Sequence, residues 1–163
     1  MGEDLATWRP VLPRGNGAWI GILASGRIGV GVAGEGRASL EGSGFAPMWP
    51  FMERELSECL DEFRDRWDAL ADGGIASPER LFELTVSSAV ESRRLYWMQA
   101  AASWLVEMQA TSGFDQALVH DLIRRLSASP EMSQQWRQRW RRALEGTEVE
   151  HEGRAGNPRK PPS

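Results

Sequence analysis

Two stretches of the chain hold residue types whose spacing could do chemistry. The first, Gly29-Val30-Gly31-Val32-Ala33-Gly34, matches the letter pattern of a dinucleotide-binding loop, in which backbone amides and a helix N-terminus hold a pyrophosphate. The second interleaves Trp136 and Trp140 with Arg137, Arg139, Arg141 and Arg142, with Arg124 and Arg125 upstream. Aromatic rings among arginines can stack the bases and neutralise the phosphates of a single-stranded nucleic acid.

Other catalytic constellations are thin. His120 sits beside Asp121, but adjacent residues point to different faces of a helix and form no local relay. His151 lies in the polar tail, and no Cys or His stands four residues from His120 to make a metal clamp. The only cysteine, Cys59, falls on an apolar helical stripe, where a buried and inert thiol is expected. No serine occupies a G-x-S-x-G elbow. No cofactor and no metal is therefore expected. Carboxylates are plentiful from Glu53 to Asp68, and Arg54, Arg64 and Arg66 among them suit a solvated helix face.

The elements that would position these residues divide at Pro50. Residues 1–17 carry Pro10, Pro13, Gly15 and Gly17 and read as an irregular arm anchored by Trp8. Ala18 to Ala24 alternates as a strand, Ser25-Gly26 suits a two-residue hairpin turn, and Arg27 to Ala33 returns. That return strand puts Ile28, Val30 and Val32 on one face and Gly29, Gly31 and Ala33 on the other. A turn at Gly34-Glu35-Gly36 leads to a third strand, Arg37 to Glu41. The dinucleotide motif needs a helix opening at its last glycine, and here the glycines lie inside a strand. The bare face is instead expected to receive an aromatic ring or a helix of this chain, with Trp19 or Trp49 as occupant.

Phe45 to Pro50 reads as a rigid connector. Beyond it, Met52, Leu56, Cys59, Leu60, Phe63, Trp67 and Leu70 trace one helix face, ended by Gly73-Gly74. Ser77-Pro78 is a helix start. The pattern then runs to Gln109, with Val86, Val90, Trp97, Ala101, Trp104 and Met108 in one sector. An unbroken helix there would be about 48 Å long, against a radius of gyration of about 15 Å for such a domain. A break is expected around Ser87 to Ser92. Thr111 to Gly113 is a turn, Phe114 to Leu126 a further helix, and Ser129-Pro130 a second start leading to Met132, Trp136, Trp140 and Leu144.

The fold expectation is α+β: a short N-terminal antiparallel β-meander, about residues 18–41, packed on a four- to five-helix body, about residues 50–145. Residues 1–145 form one globular domain, with a glycine-rich meander over 18–44, and residues 146–163 form a disordered tail.

The net charge of −4 exerts no general pull on nucleic acid. A single cysteine excludes an internal disulfide framework. No stretch reads as a signal peptide or a membrane span, so a cytoplasmic location without membrane attachment is expected.

Eight tryptophans in 163 residues exceed what such a core usually needs. Trp8 and Trp49 are therefore expected as exposed anchors for a partner protein. Glu55, Glu58 and Asp65 on the acidic first helix would face a basic partner. The favoured reading is a non-catalytic interaction protein of a bacterial cytoplasm, of the immunity, antitoxin or adaptor kind. The second reading is a nucleic-acid-binding accessory subunit that uses Arg137, Arg139, Arg141 and Arg142. Against it, Trp136 and Trp140 share a stripe with Met132, Ala143 and Leu144, as core residues would. The third is an enzyme built from Glu, Asp and Arg across helices. The oligomeric state is open.

Overall fold

A computed structural model describes residues 7–139, 141 and 142. It has an α+β fold: a four-stranded antiparallel sheet followed by helices. The strands are β1 (Arg9–Gly15), β2 (Ala18–Ile22), β3 (Ile28–Val32) and β4 (Glu35–Ser39), paired in sequential order. β1 corrects the expectation of an irregular arm over residues 1–17. Pro10 and Pro13 cannot donate to a ladder, but β1 is an edge strand and its register shifts at both prolines. The hairpin after β2 is also longer than a Ser25-Gly26 turn. Leu23 N donates to Arg27 O and Gly26 N donates to Leu23 O, closing a loop over 23–27. Between β3 and β4 the turn is Ala33-Gly34, and Glu35 and Gly36 already belong to β4.

Register sorts the two faces of the sheet. Ile20 pairs with Val30 and Ile22 with Ile28, and this face, joined by Leu12, points into the core. On the opposite face Gly21 pairs with Gly29 and Trp19 with Gly31. Its occupant is Trp8, helped by Leu23. A Cβ on Gly36 would lie 2.7 Å from Trp8 Cε3 and 2.8 Å from Leu23 Cδ2, so only glycine leaves room. Trp8 Nε1 donates to Val32 O at 2.7 Å, satisfying the indole while its ring lies on the sheet. The glycines are a packing surface, as their place inside a strand implied, with Trp8 as the ring in place of Trp19 or Trp49.

Ala46–Glu53 is a 3-10 segment that buries Met48, Trp49, Phe51 and Met52; a connector was expected over its first half. The helices are α1 (Leu56–Arg66), α2 (Pro78–Glu91), α3 (Leu95–Gln109) and α4 (Gln116–Ala128). Ser77 caps α2 as expected, its hydroxyl accepting from Arg80 N at 3.1 Å with Pro78 in the first turn. Asp115 caps α4 through Ala117 N and Leu118 N. The break between α2 and α3 falls at Ser92–Arg94, the far end of the expected range, where Arg93 takes φ 57°. Residues 134–139 are helical after Ser133, not after Ser129-Pro130, and Trp136 N donates to Ser133 Oγ. Ser129 instead follows the end of α4.

One apolar core runs from sheet to helices. Its spine is aromatic: Phe51 against Phe63, Phe63 against Phe82, and Phe82 against Trp104, with ring centroids 5.2, 5.2 and 4.8 Å apart. Gly73 marks where the helical part meets the sheet, since a Cβ there would collide with the Ile28 side chain. Among the described residues no helix is long and apolar enough to cross a membrane.

Candidate functional site

The outer side of α1 follows directly from its sequence. Leu56, Cys59, Leu60 and Phe63 face the core, so helical geometry turns Glu58, Asp61, Glu62 and Asp65 to the opposite side. Glu55 precedes this face at the N-cap position and is exposed, as are Glu58, Asp61 and Asp65. Arg54 neutralises part of the charge. Its guanidinium donates to Glu62 Oε1 and Oε2 at 2.7 and 3.1 Å and lies 3.4 Å from Glu58. These bonds hold the Glu62 carboxyl below its usual range. Arg66 lies 3.9 Å from Asp65, and Arg64 turns away to Glu79 at 2.7 Å. Glu55 and Asp61 have no ion pair within 4 Å among the described residues, so the face stays acidic.

The two tryptophans expected as anchors do not serve as exposed ones. Trp49 is 8% exposed, its Nε1 donates to Ser88 Oγ at 2.9 Å, and its ring meets Trp97 at 5.7 Å. Its place in the 3-10 segment turns it into the helices. Trp8 is half-buried on the glycine face. Among the described residues the large apolar side chains that are exposed are Leu95 at 44% and Tyr96 at 60%. Both open α3 and fall outside the sector defined by Trp97, Ala101, Trp104 and Met108, a signal available in the sequence. Tyr96 sits edge-on to Trp97 at 4.8 Å, so an aromatic path leads from Trp49 to the surface. The Tyr96 hydroxyl meets Glu53, and hydrogen bonding to that carboxylate raises its pKa. An exposed apolar pair thereby joins the carboxylates that lead into α1.

The arginine-rich stretch is positioned differently. Arg137 Nε donates to Met132 O at 3.2 Å, and Arg139 lies over the Trp136 ring, 5.2 Å from its centroid. Met132 is buried and Trp136 packs partly against the core, as the stripe implied. Arg141 and Arg142 are exposed. Trp140, Ala143, Leu144, His151 and the tail at 146–163 lie outside the described residues. Arg125 pairs locally, 3.1 Å from Asp121 and 3.9 Å from Glu91.

Two carboxylates that sequence reasoning passed over have architectural duties. Glu83, 6% exposed, accepts from Asp115 N at 2.8 Å and from Arg80 Nη1 at 3.4 Å, pinning the turn before α4. Glu107 accepts from Leu56 N at 3.1 Å, capping α1 from α3. Cys59 is buried and its thiol donates to Phe51 O at 3.5 Å. Desolvation pushes its pKa up to about 11, so the nucleophilic thiolate is scarce near neutrality. Among the described residues no group of three or more His, Cys, Asp or Glu is gathered as a metal site would need. Comparison with protein-family models, curated proteins and solved structures gives no significant match.

Proposed function

We propose that this chain is a non-catalytic interaction protein whose working surface lies where α3 begins and α1 is entered. The observation that carries this reading is Tyr96, 60% exposed and in contact with Glu53. It sets an aromatic anchor beside Glu53, Glu55 and Glu58. Exposed tyrosine is a common binding hot spot because it buries much area at small entropic cost. The carboxylates suit a partner with a basic surface and would speed its docking by steering. An immunity-type, antitoxin-like or adaptor role in a bacterial cytoplasm fits a small acidic chain of this kind, by analogy of size and charge alone.

The test is affinity capture from the native host followed by reconstitution with the purified partner. Tyr96→Ala should weaken the reconstituted complex by tenfold or more, about 1.4 kcal/mol. Glu55→Gln combined with Glu58→Gln should slow association at low salt and have little effect at high salt. Recovery of this chain alone, or equal binding by all three proteins, would refute the reading.

A further inference from the structure

The four arginines Arg137, Arg139, Arg141 and Arg142 stand within six residues, and no carboxylate occurs from Met132 to Arg142. Residues 134–139, 141 and 142 are helical, so Arg137 and Arg141 fall one turn apart, as do Arg139 and Arg142. Like charges at these spacings destabilise a helix unless a counter-charge is supplied. Glu131, the acid that precedes the cluster, is engaged by the Ser129 hydroxyl. A different groove, bordered by Arg93 and Arg125, also holds Glu91 and Glu131, so its charge is offset from within. Among the described residues none of the four arginines has an ion pair within 4 Å, and beyond that groove Gln135, Trp136, Gln138, Arg139 and Arg142 line a concavity of about 550 Å³.

We propose that this concavity binds single-stranded nucleic acid. Arg139 lies over Trp136, so the guanidinium forms the outer layer of a two-layer stack. A base can lie on a guanidinium plane as it does on an aromatic ring. Arg137, Arg141 and Arg142 supply contacts to successive phosphates, and the amides of Gln135 and Gln138 offer donors and acceptors to base edges. An unpaired strand is favoured over a duplex because its bases are free to reach that stack. The surface shares no residue with the one around Tyr96 and Glu53, so either can fail without the other.

The experiment is fluorescence anisotropy of labelled 20-mer oligo-dT and oligo-U, with a DNA duplex of equal length, from 50 to 200 mM KCl. Three phosphate contacts give a log–log salt slope of about −2.1, an affinity loss of about 18-fold across that range. Arg139→Ala with Arg142→Ala should lower the slope by about a third, leaving a loss of about sevenfold. Arg139→Lys should keep the slope and lower affinity at least about fivefold, because an ammonium gives charge without a stacking plane. Glu55→Gln with Glu58→Gln should change nothing, and circular dichroism should be the same for every variant. No binding at 50 mM KCl, tighter binding of the duplex, or wild-type behaviour in Arg139→Lys would each overturn the proposal.

Discussion

Trp49 Nε1 donates to Ser88 Oγ at 2.9 Å, and the Ser88 hydroxyl in turn donates to Thr85 O at 2.8 Å. This relay ties the 3-10 segment Ala46–Glu53 to α2 and gives the indole N–H of Trp49, a residue only 8% exposed, its partner. The tryptophan is therefore a fastening between the 3-10 segment and α2.

Ser88→Ala removes the acceptor and leaves that N–H buried. The expected cost is about 1–3 kcal/mol of stability, the penalty for an unsatisfied buried donor. Urea unfolding followed by tryptophan fluorescence should show a lower midpoint with an unchanged slope. An unchanged midpoint would mean that the relay contributes nothing.

Gly73 meets Ile28 where helices and sheet join, and a Cβ there would overlap the isoleucine side chain. Its backbone is not in the left-handed region, so the constraint is space alone. Gly73→Ala should cost about 1–3 kcal/mol by overpacking. Combining it with Ile28→Ala, which removes both Cγ1 and Cδ1 of the colliding side chain, should recover part of the loss. Purely additive effects in that double mutant would disprove the contact.

Local chemistry made some features legible in the sequence and tertiary context hid others. Ser77-Pro78 announced its helix through a local cap, whereas the same pair at Ser129-Pro130 follows the end of α4 and starts no helix. The strand Ile28–Val32 was legible because its alternation matches the side-chain period of a sheet. β1 was not, because Pro10 and Pro13 argue against any central strand and only the sheet order reveals an edge. The chain break at Arg93 lacks both glycine and proline and yet takes a φ of 57°, which no local signal marks. Of the candidate site, the acidic α1 face was readable from helical periodicity. Trp49 was misjudged because abundance of tryptophan says nothing about which rings a 3-10 turn directs inward.

The Cys59 thiol, pushed up to about 11 by burial from the 9.0 of a free thiol, ties stability to alkaline pH. Below about 9 the thiol is neutral in both folded and unfolded chains, and the folded state keeps its full advantage. Between about 9 and 11 the unfolded chain releases its proton first, so stability falls as pH rises. Cys59→Ala should flatten the decline of Tm with pH over that window, and tyrosine and lysine titration will remain in both proteins. In the folded protein a disulfide reagent such as Ellman's should react slowly at pH 8 and rapidly once urea unfolds the chain. Fast reaction in the folded state would contradict the buried thiol.

Glu62 gives the opposite slope. Its carboxyl is held below the ordinary 4.5 by the Arg54 hydrogen bonds. The pair's contribution is thus complete above about 4.5 and is lost as pH falls through the lower folded value. Both side chains are more than a third exposed, so solvent screens the pair and limits it to about 0.5–1 kcal/mol. Glu62→Gln should lower Tm at pH 7 by a few degrees, and the gap should narrow as pH falls below about 4.5 toward pH 3. Raising NaCl to 1 M should narrow the gap at pH 7, because partly exposed charges are screened. A gap that persists unchanged at pH 3 would assign the effect to packing of the Glu62 stem against α1 rather than to its charge.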